Sequence, residues 1–405
     1  MNTLNLKGGA FPTNEGKIVV GLEPAWKMRH TRYIDALLEC PPTGYDFRPL
    51  LDLQQPLWQV LSRSGLSFDI QRITSEFIPL PLLKALFGRS TSSRGGVGLT
   101  YALDHIALGK KPWVLEVTFE LPSNLVGSET QLMIFKGLVR RVLGNDTCLG
   151  ISFQLRIAMK AFVTTFGEFI EQKSMVIPQS GVPHYFEKHD SRDVVLLFVN
   201  SQNIINTNNF FMKGGREVIQ AFGMLRAKYQ NTKLIIRSQV PSDYRSTIKK
   251  IRGVQLLENN LTPSEMDRLW KSCDIFLHPH HGTPASTLVD AMGYGLPIVT
   301  TDTWGTGEVI NDGVDGYLVH DPIAEYYQEG PILHLGRKYT DAIRREHQPE
   351  LVQQLVEKTS VLIEDSRLRR SMGNRGREKV ASGALSIASR NASLKAFLDQ
   401  ALQNL

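Results

Sequence analysis

The second half of the chain alternates short apolar runs with amphipathic segments, and this rhythm restricts the fold more than any other feature of the sequence. Val194–Val199 is a continuous apolar run, the pattern of a strand covered on both faces. Residues 233–237, 254–258, 274–278 and 297–301 read as further strands. Between them, residues 215–229 place Val218, Phe222 and Leu225 on one helical face. Thr262-Pro263-Ser264-Glu265 reads as a capped helix start, and residues 284–292 as another helix. Strands alternating with helices predict a parallel sheet covered on both sides, with ligands bound beyond the carboxyl ends of its strands. Residues 349–405 are helical and amphipathic. The first half is less legible. Residues 17–22, 113–119 and 175–177 read as strands and 132–143 and 153–166 as helices, a second α/β layer structure.

A chain of 405 residues is long for one core at about 100–200 residues per domain. The sequence predicts a first domain over 1–185, a linker in the charged stretch 187–192, a second domain over 186–380, and a last helix over 381–405 that returns to the first domain. Lys and Arg number 46 against 40 Asp and Glu, a net charge of +6 without any basic block, so no nucleic-acid partner is expected. A mildly basic surface suits an anionic substrate or peripheral contact with an anionic membrane. Three widely spaced cysteines argue against a disulfide framework and for a reducing compartment. With no apolar leader and no run of membrane-spanning length, the expected location is the cytoplasm, at or near the inner face of a membrane. Oligomeric state has no signature in the sequence.

Residues 278–299 carry the chemistry. Thr283 can cap the helix that follows and Pro284 suits its first turn, so the N–H groups of that terminus would face the mouth of the preceding strand and attract phosphate. Ser286 and Thr287 add hydroxyls, and Asp290 follows on the same side, placed to accept from ribose hydroxyls. Lys213, before Gly214-Gly215 at a loop-to-helix junction, sets a cation where diphosphate charge would lie. Glu308 supplies a carboxylate in the glycine-rich segment 305–319. Together these suit a nucleoside diphosphate. His278, His280 and His281 lack a ligand set for zinc, so no metal is expected, and His281 reads better as a contact to a sugar hydroxyl. Glu116 and Glu120, alternating with Val117 and Phe119 at a strand end, and His105 are candidates for an acceptor, or equally for solvated polar groups.

Residues 274–319 resemble the donor-binding region of retaining glycosyltransferases of the GT-B fold, family 4, the group 1 glycosyl transferases. The matching pieces are Asp290-Ala291-Met292, Gly295-Leu296-Pro297-Ile298-Val299, Gly307-Glu308-Val309-Ile310, Asp312-Gly313 and Gly316-Tyr317-Leu318-Val319. Lys213-Gly214 and residues 254–270 and 369–376 follow the family in order and spacing, and the resemblance covers roughly 178–380. Two departures stand out. The family's paired glutamates fall on Gly282 and Asp290, so the first is missing, with His281 or Thr283 beside it. The family's Gly-Arg before the lysine is replaced by the loop 200–206, which leaves Lys213 as the chief cation unless Arg237 joins it.

The resemblance implies two facing Rossmann-like domains with parallel sheets, a C-terminal crossing helix and a ligand cleft between the domains. It also implies retaining transfer from a UDP- or GDP-sugar to a glycan, glycolipid or other lipid-linked or polysaccharide-precursor acceptor, with no required cofactor or metal. Lys213 and the helix N-terminus would stabilise the departing diphosphate. A catalytically weak or inactive GT-B module or partner subunit, and a nucleotide-sugar 2-epimerase, are the alternatives.

Overall fold

The structure, a computed structural model, describes residues 2–6, 9–14, 16–24, 32–49, 97–108, 111–118, 121–187, 193–200, 208–284 and 286–403. Glu120 lies outside these residues, as do residues 201–206 of the loop expected to replace the family's Gly-Arg. The chain divides into two compact units, one of Met1–Gln179 with Ile387–Leu405, the other of Ser180–Ser386.

In the second unit, β9 (Val194–Val199), β10 (Thr232–Arg237), β11 (Val254–Leu257), β12 (Ile275–His278), β13 (Ile298–Thr301) and β14 (Gly316–Val319) form one sheet in the order β11-β10-β9-β12-β13-β14. All its pairings are parallel. Counted from β9, that is third, second, first, fourth, fifth, sixth, the dinucleotide-fold order, which reverses direction between β9 and β12. Leu196, Phe198, Leu234, Ile236, Ile275 and Leu277 are buried in the sheet. Val218, Phe222 and Leu225 of the helix Gly215–Lys228 belong to the same core, as do Leu351, Leu355 and Leu362 of the helix Pro349–Glu364. The expected capping box at Thr262 is formed: the Glu265 carboxylate accepts from Thr262 N at 2.7 Å and Thr262 Oγ1 accepts from Glu265 N at 3.3 Å.

The first unit is built on β1 (Asn2–Leu6), β2 (Gly9–Asn14), β3 (Lys17–Pro24), β4 (Tyr45–Pro49), β5 (Leu99–Leu103), β6 (Trp113–Val117), β7 (Cys148–Phe153) and β8 (Ser174–Val176). Strands β3 to β8 pair in parallel in the order β4-β3-β5-β6-β7-β8, and β1 and β2 add an antiparallel hairpin onto β3. The N-terminal hairpin, β4, β5 and β7 carry no strand signal in the sequence reading: Asn, Gly and Pro punctuate the hairpin, and Thr, Ser and Gly interrupt the buried strands.

Two boundaries differ from expectation. The second unit begins at Ser180, ahead of the charged stretch 187–192, because Gly181 N donates to Leu385 O at 2.9 Å and His184 N to Gly293 O at 2.8 Å. The His184 ring also stacks on Tyr294, centroids 3.9 Å apart. The returning helix spans Ile387–Gln403 rather than starting at 381. It supplies Leu394, Phe397 and Leu398 to the core of the first unit, Arg390 donates to the carbonyls of Ala36 and Cys40, and the Tyr45 hydroxyl donates to Asp399 at 2.7 Å. Phe397 fills the place where a Gly150 side chain would be, a Cβ there lying 2.8 Å from the ring. Gly150→Ala is therefore expected to cost about 1–3 kcal/mol by overpacking, read as a lower urea midpoint.

Candidate functional site

Because β9 and β12 run outward from the order reversal, the crevice beyond their carboxyl ends is where such a sheet takes a ligand. The register places Arg237 opposite Val199 and His278 opposite Thr300, so several strands end at one level. At this edge Asn200 is buried. Its backbone N donates to Arg237 O at 2.9 Å, its amide donates to the Ser238 hydroxyl at 3.2 Å, and its carbonyl accepts from Arg237 at 3.1 Å. Asn209 donates to the Asn200 side chain at 3.2 Å, linking this corner to the turn that carries Lys213. Arg237 is thereby fixed beside the end of β9, and burial holds its guanidinium below its ordinary value.

Lys213 sits in the turn before the helix Gly215–Lys228. Gly214 adopts φ +75°, and a Cβ on it would lie 2.1 Å from Pro279 O, so this turn packs directly on the segment after β12. Only glycine satisfies both conditions. The closeness is electrostatic as well: burial first, and then the Lys213 charge, push His278 and His280 well below the ordinary histidine range. Both rings are thus neutral at pH 7. His280 Nδ1 donates to Gly282 O at 2.8 Å. The Thr303 hydroxyl donates to His280 O at 3.3 Å and the Thr306 hydroxyl lies 3.3 Å from its ring, which brings the loop after β13 to the same place. Neither ring nitrogen of His278 has a hydrogen-bond partner among the described residues.

His281 does not present its ring to a ligand. It is fully buried, with Nδ1 2.7 Å from Asp321 Oδ2 and Nε2 3.6 Å from Glu217 Oε2. Burial alone would lower its pKa, but the two carboxylates overcome this and raise it to about 9. Glu217 is held below the usual carboxylate range: burial works against its charge, and His281 and Arg216 more than offset it. Arg216, ion-paired to Glu217 at 2.7 Å, donates to the carbonyls of Ile343 at 2.8 Å, Arg344 at 3.0 Å and Glu346 at 2.6 Å. Two cations and two anions balance in the interior. The segment is tied down further by His281 N donating to Met212 O at 2.9 Å and by the Tyr339 hydroxyl donating to His281 O. The expected sugar contact is replaced by a clamp joining the Lys213 turn, the loop after β12 and Asp321. Arg216, Glu217 and Asp321 were missed as members of it. Asp321-Pro322 is a helix-start signal, and Asp321 does cap that helix, but nothing local marks its other partner.

The helix carrying Ser286, Thr287 and Asp290 spans Ser286–Gly293, two residues later than expected, so Thr283 and Pro284 precede it. Leu288, Val289, Ala291 and Met292 are buried, while Ser286, Thr287 and Asp290 are half-buried. The Thr287 hydroxyl is buried without a partner among the described residues. A Cβ at Gly282 would meet nothing nearer than Leu335 and Met212, each 4.0 Å away, so crowding does not dictate the missing carboxylate. Glu308 is exposed in the turn Thr306–Glu308. Among the described residues no cluster of His, Cys, Asp or Glu is set to hold a metal.

In the first unit, Glu116 is 1% exposed and is neither a solvated strand end nor an open carboxylate. It accepts from Tyr33, from Tyr101 at 2.5 Å and from Gln154 at 2.9 Å. Burial raises its pKa against the pull of these donors. His105 is also buried, with Nδ1 2.8 Å from Leu103 O and Nε2 3.5 Å from Glu23.

Residues 201–329, which hold Lys213, His281, Asp290 and Glu308, match the family model of glycosyl transferases group 1. Over that segment the chain is similar to the group 1 glycosyl transferases. The chain has the GT-B fold. HepE from Anabaena, solved in complex with UDP and glucose, superposes with a TM-score of 0.58 at 14% identity, over 94% of this chain and 99% of that one. WaaG, a glycosyltransferase involved in lipopolysaccharide biosynthesis, gives 0.54 at 14% identity over 93% and 98%. Spore coat protein SA of Bacillus subtilis (strain 168) is 36% identical over 61 residues, 15% of this chain and 16% of that relative's length. The family-matched segment thus contains the carboxyl edge from Lys213 to Asp321. No helix among the described residues is long and apolar enough to cross a membrane.

Proposed function

We propose that the protein is a retaining glycosyltransferase that moves a sugar from a UDP- or GDP-sugar to a glycan, glycolipid or polysaccharide-precursor acceptor, with the second unit holding the donor. The observation that carries this reading is Lys213, fixed beside Pro279 at the order reversal of a dinucleotide-type sheet within the family-matched segment. There its ammonium meets the charge that develops on the departing diphosphate. The N-terminus of the helix Ser286–Gly293, with the Ser286 and Thr287 hydroxyls, supplies donors to the same phosphates. Asp290 accepts from ribose, Arg237 is the second cation, and Glu308, Thr283 and the Gly282 backbone line the sugar side. The bond from the anomeric carbon to the diphosphate oxygen breaks, and that oxygen takes the acceptor hydroxyl's proton as the new glycosidic bond forms on the same face. His281 holds the Lys213 turn in place rather than touching the sugar. Glu120 and His105 remain the acceptor-side candidates. HepE, whose structure contains UDP, makes UDP the first nucleotide to test.

Lys213→Ala is expected to lower turnover at least tenfold, about 1.4 kcal/mol, with an unchanged urea midpoint. An unaltered rate would remove Lys213 from the mechanism. A thermal-shift and nucleotide-release screen over UDP- and GDP-sugars tests the whole reading, which fails if none binds and none is turned over. The carboxylate missing at Gly282 favours a second reading, a weak or inactive nucleotide-sugar-binding module, and binding without release would select it.

A further inference from the structure

The segment after β12 spends its carbonyls on the protein itself. His280 O accepts from the Thr301 hydroxyl and, at 3.3 Å, from that of Thr303. His281 O accepts from the Tyr339 hydroxyl, and Gly282 O accepts from His280 Nδ1 at 2.8 Å. The His281 ring is enclosed by Asp321 and Glu217, and its backbone N donates to Met212 O at 2.9 Å. Carbon dominates what is left beside Gly282. A methyl at its Cβ position would lie 4.0 Å from Leu335 Cδ1 and 4.0 Å from Met212 Cε, with no nearer atom among the described residues beyond its chain neighbours. Those are ordinary van der Waals separations. The bare glycine therefore leaves a place the size of one methyl group, walled by two others. Met212 and Leu335 are half-buried and pack against the core of the second unit, which fixes both walls. Met212 directly precedes Lys213 in the chain.

We infer, resting on the donor reading above, that this place receives a methyl group of the donor sugar, so that the chain selects an N-acetylated or terminally deoxygenated sugar over its plain counterpart. Both classes present the same group, a CH3 on an otherwise polar ring. Apolar walls gain by meeting it. A sugar that lacks it leaves the place empty or drives a hydroxyl into it, away from water and without a side-chain partner. Thr283, next along the chain and half-buried, is left for the hydroxyls that remain. Gly282, Met212 and Leu335 thus determine specificity, while Lys213 meets the diphosphate.

Two pairs of donors distinguish the sources of the methyl: UDP-N-acetylglucosamine against UDP-glucose for the acetamido group, and GDP-D-rhamnose against GDP-mannose for the deoxy group. In at least one pair the methyl-bearing member should be favoured by roughly tenfold or more. The ratio is read as kcat/KM for nucleotide release or, in a chain that binds without release, as Kd. Gly282→Ala puts a Cβ into the place, and the same ratio should fall to about one, chiefly through weaker binding of the methyl-bearing donor. Both donors of a pair meet the same preparation, so the ratio does not depend on how much of the variant folds. Binding or release that favours the methyl-bearing sugar in neither pair overturns the inference and leaves the donor reading standing. So does a ratio that Gly282→Ala leaves as it is in wild type. If no donor of either pair shifts the thermal midpoint or releases nucleotide, the donor reading fails and the methyl site fails with it.

Discussion

Replacing His281 by leucine is expected to destabilise the second unit by about 3–5 kcal/mol, the usual cost of removing one partner from a buried ionic cluster. The ring stands 2.7 Å from Asp321 and 3.6 Å from Glu217, all three fully or almost fully buried, and without it Glu217 keeps Arg216 while Asp321 loses its ion-pair partner. The pH dependence carries a definite sign. His281 is held at about 9 against an ordinary 6.5, so its stabilisation is complete below about pH 6.5 and is lost as pH rises through about 9. Linkage puts that loss at about 3 kcal/mol. Glu217, held low, contributes with the opposite sense: its share is present above its ordinary 4.5 and lost as pH falls through its lowered value. Wild type should therefore weaken toward alkaline pH. The leucine variant should lack that slope, and its deficit should narrow on acidification as the stranded carboxyls take protons. Urea midpoints measured across pH decide it, and an undiminished alkaline slope in the variant would refute the clamp.

Gly214→Ala is expected to cost about 2–5 kcal/mol: roughly 1–2 from forcing a side chain into the left-handed region and 1–3 from overpacking. Its Cβ would lie 2.1 Å from Pro279 O and 2.6 Å from the Pro279 ring, so backbone must retreat from backbone. That retreat carries Lys213 away from the end of β12, and turnover should fall even in molecules that fold. Gly223→Ala in the same helix is the control. A Cβ there meets nothing within 4 Å, so this change should be neutral or stabilising by up to about 1 kcal/mol. Thermal midpoints and single-turnover rates of the pair test the contact, which would be disproved by equal stability of the two variants.

The second sheet was legible because strands buried on both faces are written as uninterrupted apolar runs, as in Val194–Val199 and Ile275–His278. The turn before the helix Gly215–Lys228 was legible for a similar reason, since two glycines beside a lysine at a helix start form a local signal. The clamp was not. Glu217 and Asp321 stand 64 and 40 residues from His281, and a charged residue is spelled the same way whether solvent or another charge surrounds it. Glu116 misled by this route: its place near a strand end suggested exposure, but Tyr33, 83 residues away, and Tyr101 close over it. The first unit hid much of its sheet because Thr100, Ser152 and Gly150 sit inside fully buried strands and break the apolar pattern.

The helix Ile387–Gln403 sets the order in which the protein can be made. Leu394, Phe397, Leu398, Ala401 and Leu402 complete the core that β3, β4 and β5 begin. A nascent chain emerging N-terminus first therefore exposes that incomplete apolar surface until the helix Ile387–Gln403 leaves the ribosome, whereas Ser180–Ser386 has all its own parts sooner. The unit whose strands are translated first must wait for the helix Ile387–Gln403, and a chain truncated just before residue 387 would keep all of Ser180–Ser386 tethered to an unfinished first unit.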